Sequence, residues 1–500
     1  MIYDGPDNNF ATKKARKMNW NIITWHLGIS LLLVAALMTI AGLIACFTPG
    51  DDSRAVLLFS AILTACVGFF PMIFVRKGQQ RLSFREGNTI VVFAWLAACF
   101  FGMLPFLFYG KEFTPVNALF ESVSGFTTTG ASILNDIEAL PRGLQFWRIS
   151  TAWVGGIGIV TLFSMMMSGS HDKTTLSRAE ISLVARNAFS GGRTVTFAKR
   201  MLVTYITLTF ATFFSLMLTG LDWFDAVTNA MSACSTCGFC IRNASIAYYA
   251  NPAAEMILTV AMIASGINFG ILFLAFITRR PYRIWKSETI KVFLCAVMLA
   301  IVVVTVDLMV HGHSASLWAA LRDASFQVAS ISTTTGFATE DTTLWPPLSM
   351  AVLLLCSLIC GCSGSTSGGI KMDRVLLAAK GVHRKVLLTV SPNMIRPIRV
   401  DGQVRPNEHV NDAFIYIFSY LMVVVLFAAV NITGGLDFTT GVTASIACIG
   451  NVGPGFGEVG SISNYAGLSS FLKLTSMAEM IIGRLEIFPI LYLIRSIRLR

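Results

Sequence analysis

Four short polar stretches interrupt an otherwise apolar chain, and each carries residue types that can strip water from a monovalent cation. They are Thr127-Thr128-Thr129-Gly130, Ser235-Thr236-Cys237-Gly238, Thr333-Thr334-Thr335-Gly336 and Gly450-Asn451-Val452-Gly453. The four closing glycines recur at intervals near one hundred residues, each after a short apolar segment and before a long one. Dehydrating an ion such as K+ calls for several oxygen ligands at small cost in strain. Backbone carbonyls supply them when the chain is extended with its carbonyls turned inward, and glycine permits the dihedrals this requires. The hydroxyls of Thr127 to Thr129 and of Thr333 to Thr335 can brace such a loop by hydrogen bonding to backbone groups. One loop of this kind reads as a turn between helices. Four at matched places read as a pseudo-fourfold ring of ligands built by a single chain.

Loops at membrane depth need elements that can carry them. Hydrophobic residues make up 54% of the 500, charged residues 13%, and the mean hydropathy is +0.68, which excludes a soluble core-and-shell protein. The apolar runs approach or exceed about 18 residues and lack the alternation of a membrane β-barrel. The expected fold class is therefore an all-α polytopic membrane protein. The 11 cysteines lie mostly inside apolar runs (those of Cys46, Cys66, Cys99, Cys295 and Cys356), so no extracellular disulfide framework is implied. Lys13, Lys14, Arg16 and Lys17 precede an apolar run without a small-residue cleavage site. That run reads as a retained first span rather than a signal peptide.

Residues 22–47 and 55–74 form two leading spans. A span, a half-length apolar helix ending in a glycine loop, and a second span then repeat four times, over residues 88–167, 197–277, 289–380 and 412–494, for about ten transmembrane helices. The half-length segments (116–124, 223–234, 317–331 and 438–449) are too short to cross about 30 Å of hydrocarbon. They read as re-entrant pore helices, whose loops are tolerable at that depth only where they line a watery cavity. The domain division expected is 1–85 for the N-terminal arm and two extra spans, then pore repeats at 86–170, 171–280, 281–385 and 386–500. With the N-terminus in the cytoplasm, the basic loops at 76–85, 173–200, 279–291 and 371–405 all fall inside, as does the tail with Arg495, Arg498 and Arg500. Loops holding Asp51 and Asp52, Asp136 and Glu138, and Glu340 and Asp341 face outward. The net charge of +11 is then a positive-inside topology with both termini cytoplasmic, and nucleic acid is not expected as a partner.

A second group of residues suits a moving part. Gly361, Gly364, Gly368 and Gly369, with Ser365, Thr366 and Ser367 among them, interrupt a long apolar helix near mid-membrane and lead to Lys371. Such a run has low helix propensity and reads as a flexible loop able to block ion flow, with close packing of small residues as the alternative. Its likeness to a phosphate-binding loop fails, because Ile370 separates Gly369 from Lys371 and no Ser or Thr follows. Arg484 lies well inside the last span, where arginine is costly unless paired or facing water. Its candidate partners are carbonyls of that loop, with Glu479 and Glu486 near it on its own helix. Glu121, Asp225 and Asp323 stand at or near the starts of half-length helices and are expected to cap them. Cys234, Cys237 and Cys240 have the spacing of a cluster-binding motif, but no fourth ligand lies near, so packing in the loop is the better reading.

The four units, the four loops, the two leading spans and four further stretches together resemble the TrkH family, the membrane subunits of bacterial Trk potassium uptake systems, within the Trk/Ktr/HKT superfamily. The further stretches are Trp153-Val154-Gly155-Gly156-Ile157-Gly158, Gly266-Ile267-Asn268-Phe269, Gly364-Ser365-Thr366-Ser367-Gly368-Gly369-Ile370-Lys371 and Gly483-Arg484-Leu485-Glu486. All but the first twenty or so residues take part. The resemblance implies that Gly130, Gly238, Gly336 and Gly453 are selectivity-filter glycines, with carbonyls of the preceding residues binding K+. A serine at the first position goes with sodium, so Gly130 favours potassium. The second loop departs from the pattern in its three cysteines. The resemblance further implies that the loop from Gly361 to Lys371 is an intramembrane gate, that Arg484 engages it, and that the protein is a homodimer of the bacterial inner membrane. Its regulator would be a cytoplasmic nucleotide- and NAD-binding subunit resembling TrkA.

The leading expectation is a potassium uptake channel, with K+ as substrate, no covalent cofactor and no enzymatic reaction. The alternative is a symporter coupling K+ to H+ or Na+, which calls for inverted repeats and mid-membrane titratable residues. The repeats here share one orientation, and mid-span carboxylates are few. A membrane redox enzyme has only the cysteine cluster in its favour.

Overall fold

In the computed structural model of the chain, residues 18–75, 84–168, 194–277, 279, 281–394 and 396–498 are described. The basic N-terminal arm, the basic stretch at 76–83, most of the basic loop at 173–200 and the end of the tail lie outside them. Two leading helices, Trp20–Phe47 and Arg54–Phe74, pack along one another. The turn between them is pinned by Asp51, which accepts hydrogen bonds from Ser53 N at 2.9 Å and from Gly143 N at 2.8 Å, at the start of a later span.

The fourfold repeat then follows. Each unit opens with a long helix: Phe84–Gly102 continued by Leu104–Tyr109, Thr194–Leu218, Glu288–Val310 and Asn407–Thr433. A half-length helix comes next: Pro115–Phe126, Trp223–Ser235, Leu317–Ser332 or Phe438–Gly450. At 12, 13, 16 and 13 residues these reach roughly 18–24 Å, well short of the hydrocarbon thickness. Each begins at a side-chain cap: Thr114, Asp222, Ser316 and Asp437 accept from backbone N–H groups of the first turn. The caps are thus not Glu121 or Asp323, which sit well inside their helices. Asp225 lies in the first turn but pairs with Arg242 at 3.1 Å.

In three of the four units the second span is broken rather than continuous. Six described helices are long and apolar enough to cross a membrane, or seven if Pro252–Ser265 and Phe269–Phe276 count as one span bent by 107°. The first unit closes with the continuous helix Arg142–Ser168. In the third, Pro347–Ile359 stops at Cys360 and the chain resumes as Met372–Val390, the interruption expected from its glycines. The second and fourth units break too, which was not expected. The helix Pro252–Ser265 ends at Gly266 and Asn268 caps the next, its Oδ1 accepting from Gly270 N at 2.9 Å and Ile271 N at 3.2 Å. In the fourth unit Ser470–Arg484 gives way at Leu485 and at Glu486, whose φ is +60°, before Ile487–Arg498. The one addition to the all-helical fold among the described residues is a hairpin, Ile398–Val400 with Gln403–Arg405, turned at Asp401-Gly402.

Replacing Thr114 or Ser316 with alanine removes a cap and is expected to cost about 1 kcal/mol of stability. A lowered thermal unfolding midpoint in detergent checks this, and an unchanged one would show that the helix starts are held by other contacts.

Candidate cation site

The four glycine loops share one backbone conformation. The left-handed φ values fall two residues apart, first at Thr128 (+51°), Thr236 (+54°), Thr334 (+59°) and Asn451 (+53°), then at Gly130 (+81°), Gly238 (+78°), Gly336 (+81°) and Gly453 (+92°). In each loop one residue of negative φ separates the two left-handed ones, so the four backbones follow the same path. The same hydrogen bond closes each loop onto its helix: Thr129 N to Ser124 O (2.9 Å), Cys237 N to Ser232 O (3.2 Å), Thr335 N to Ser330 O (2.7 Å) and Val452 N to Ala447 O (2.8 Å). Each loop also begins where its helix ends, so four helix C-termini, the negative ends of their dipoles, converge on it.

The loops close into a ring in chain order. A side-chain carbon on Gly130 would overlap the carbonyl of Cys237, on Gly238 that of Thr335, on Gly336 that of Val452, and on Gly453 that of Thr129. Each glycine face thus rests on the carbonyl preceding the next glycine, and the fourth returns to the first. Hydroxyls brace loops one and three identically: Thr127 Oγ1 donates to Val123 O and Thr333 Oγ1 to Ala329 O, both at 2.7 Å, and each pairs at 2.8 Å with the hydroxyl two residues on. In loop two, Ser235 Oγ donates to Ser232 O. In loop four, Asn451 Nδ2 donates to Thr129 Oγ1 and to Met480 O, both at 3.0 Å, and Tyr465 supports Gly453 O at 2.9 Å. All four glycines and Pro454 line a cavity of about 180 Å³ above the ring. Asn243, which lines this cavity, donates through its amide to Asp136 at 2.8 Å and holds that carboxyl below its ordinary range.

The three cysteines of loop two are not gathered into a ligand set. Cys234 Sγ faces Thr212, and Cys240 Sγ donates to Asn229 Oδ1. Among the described residues no cluster of His, Cys, Asp or Glu could hold a metal.

Directly behind the ring lies the loop between Ile359 and Met372, part of the third unit, and it touches the second and fourth units as well. Thr366 Oγ1 donates to Cys234 O at 3.1 Å, and Gly368 N donates to Thr334 Oγ1 at 3.1 Å. Gly368 packs on Gly450 O, leaving no room for a side chain. Cys362 N donates to Gly266 O (2.8 Å), Phe269 N to Gly364 O (3.0 Å) and Asn268 Nδ2 to Ser363 O (2.7 Å), so the break in the second unit docks against this loop. Within it, Ser365 and Ser367 hydroxyls pair at 2.7 Å. Gly361 and Gly369 lie at its two ends, where Met372 N donates to Gly361 O (2.9 Å) and Gly369 rests on Cys360 Sγ.

Arg484 completes the cage. Only 2% exposed, it donates through Nη1 to Thr366 O at 2.8 Å and through Nη2 to Gly155 O at 3.1 Å, bridging the loop to the first unit. Its neighbours in sequence have other partners: Glu479 accepts from Asn431 and Glu486 from Arg374. Lys371 is buried, with φ +76°, and reaches Glu486 only at 3.9 Å. Asn268 and Gly155 belong to this constellation without having been singled out for a role, and Asn451, expected as a filter residue, joins it through its side-chain amide. The stretches around Gly155 and Asn268 carried a family signal but no chemistry, and no sequence pattern separates the Asn451 amide from an ordinary turn asparagine.

Four helical units whose glycine loops close into a ring, glycine against carbonyl, over a loop held by a buried guanidinium, define a polytopic membrane protein. Its family is then shown directly. Residues 53–499 match the family model TrkH, described as cation transport protein, so the chain belongs to the TrkH family, a family of transporters rather than enzymes. It is 32% identical over 481 residues to the Trk system potassium uptake protein TrkH of Escherichia coli K12, covering 95% of this chain and 98% of that one. It is 28% identical to TrkG of the same organism, over 89% and 91% of the two chains. The crystal structure of the potassium transporter TrkH from Vibrio parahaemolyticus superposes with a TM-score of 0.86 at 30% identity, over 95% of this chain and 98% of that one.

Cation binding at the ring should stabilise the folded protein by mass action. K+ is expected to raise the thermal midpoint of the detergent-solubilised protein, and Gly336→Ser, which sets a side chain against Val452 O, should abolish that shift. A K+-dependent shift retained in Gly336→Ser would mean that the cation binds elsewhere.

Proposed function

We propose that this chain takes up K+ across the bacterial inner membrane, with both termini in the cytoplasm, as a channel in which the ring is the selectivity filter. The observation that carries the reading is the fourfold closure of glycine on carbonyl. The names of the relatives, all potassium uptake proteins of Trk systems, support the choice of ion. The carbonyls of Thr127 to Thr129, Ser235 to Cys237, Thr333 to Thr335 and Gly450 to Val452 would replace the hydration shell, and the four helix C-termini would favour the positive charge. Each unit supplies one such set, which divides the chain into the two leading spans and four pore repeats. Ions would move down the electrical gradient set by a negative interior.

The loop from Gly361 to Lys371 would be the gate, a reading supported by its contacts with Cys234, Thr334 and Gly450 next to the ring. Arg484 would hold it shut through the Thr366 carbonyl, and its charge would itself repel a cation. Opening then calls for a force on the inner face. The family supports a TrkA-like nucleotide-binding subunit acting on a homodimer of this chain as its source. Coupled transport is the second reading, and one observation favours it: Glu479, fully buried, sits beside the Met480 carbonyl that holds Asn451.

Uptake of K+ into proteoliposomes tests the gate. Arg484→Ala is expected to raise passive uptake about tenfold, the size of an ordinary coupling between a switch and its site. Uptake no faster than that of the wild type would remove the loop and Arg484 from the gating role.

A further inference from the structure

Each boundary between neighbouring loops is laced on its outer side by hydrogen bonds, and ion pairs add to two of them, Arg322 with Glu255 (3.4 Å) between units two and three and Arg242 with Glu138 (3.5 Å) between units one and two. Loops two and three meet through Ile246 N to Ala338 O (3.1 Å), and loops three and four through Thr342 N to Ser461 Oγ (3.1 Å). Loops four and one meet through Tyr465 N to Ser132 O (2.8 Å). Loops one and two meet through Asn243, which joins Ile137, Asp136 and Glu138, and more deeply through a fully buried pair of the first unit. There Arg148, from the second span of the first unit, forms an ion pair with Glu121 of the first half-length helix, their side chains 2% and 0% exposed.

Both partners hold filter-side backbone. Glu121 accepts from Ser132 Oγ at 3.1 Å and from Ile133 N at 3.1 Å, which fixes the chain just beyond Gly130. Arg148 Nη1 donates to Cys240 O at 2.8 Å, and its guanidinium lies 3.6 Å from the centre of the Phe239 ring, which fixes the chain just beyond Gly238. A desolvated pair with every contact in place is rigid, because loosening it leaves a buried charge uncompensated. It is also neutral as a unit, so neither charge acts on the ring's edge while the pair is intact. Arginine is needed for this, since its planar fork can pair with a carboxylate, reach a carbonyl and stack on an aromatic face together.

We propose that Arg148 and Glu121 are positioning residues that set the discrimination of K+ from Na+, by fixing the separation of the first two loops and cancelling charge beside them. The proposal rests on the ring being the ion path. Two consequences are not shared by a merely structural ion pair. Arg148→Gln leaves a bare carboxylate beside the ring, which should admit Na+. Arg148→Lys keeps the charge but loses the fork and the stacking, so it should lose discrimination as well.

The test is the K+-to-Na+ permeability ratio, from reversal potentials in proteoliposomes, with the thermal midpoint measured on the same preparations. The comparison variant is Asp307→Asn, a buried carboxylate remote from the ring that accepts from Ser349 N at 2.9 Å and Ser349 Oγ at 2.6 Å. Arg148→Gln and Arg148→Lys are expected to lower the ratio about tenfold, whereas Asp307→Asn lowers the midpoint and leaves the ratio unchanged. Should the arginine variants not fold, the near-isosteric Glu121→Gln carries the same expectation. A ratio unchanged from wild type in the pair's variants, with only the midpoint lowered, would overturn the proposal. A wild type that passes no K+ would instead overturn the reading of the ring on which it rests.

Discussion

The contact between each loop glycine and the carbonyl of the next loop is the constraint on which the rest of this structure depends. It leaves no volume for a side chain and asks for a left-handed φ at the same residue, so both sterics and backbone strain reserve the position for glycine. A ring closed by such contacts has no slack, because displacing one loop disturbs the seat of its neighbour and, through it, the whole circuit. The surrounding architecture follows from that demand. Short capped helices bring each loop to mid-membrane depth, the long spans bury them, and inter-loop hydrogen bonds keep the units in register.

The loop behind the ring is built on the opposite principle. Its glycines and hydroxyl residues form no helix of their own, and it is held by Thr334 of its own unit and by partners from other units: Gly266, Asn268, Cys234 and Arg484. Buried backbone groups held by so many separate elements are ordered only while those elements stay in place. Small relative movements of the helices can therefore release several of these bonds at once, which is the property the proposed gate requires. The breaks in the second and fourth units serve the same end, since Asn268 and Arg484 lie at the two breaks and each holds a carbonyl of this loop.

Much of this was legible in the chain. The half-length helices end within two residues of where the polar loops placed them, because capping residues and glycines are local signals. The interruption at Gly361 to Gly369 was visible for the same reason. The breaks at Asn268 and Glu486 were not, because each turns on one or two residues inside segments whose apolar character continues across the break. The roles of Glu121 and Asp323 were misjudged, since nearness to a helix start suggested caps while the actual caps lie at Thr114 and Ser316. Glu121 belongs instead to Arg148, in another helix of its unit. Arg484 was recognisable as a buried charge in need of partners. That one of them would be Gly155, in the first unit, depends on tertiary packing that no local pattern encodes.

The most direct test of the central claim is the reversal potential of the purified protein in proteoliposomes under a K+ gradient at clamped voltage, with pH and Na+ varied independently. If the ring is a passive potassium path, the reversal potential follows the K+ gradient alone and does not move with either. A reversal potential that shifts with pH or Na+ at fixed K+ would contradict the account and make this a coupled transporter.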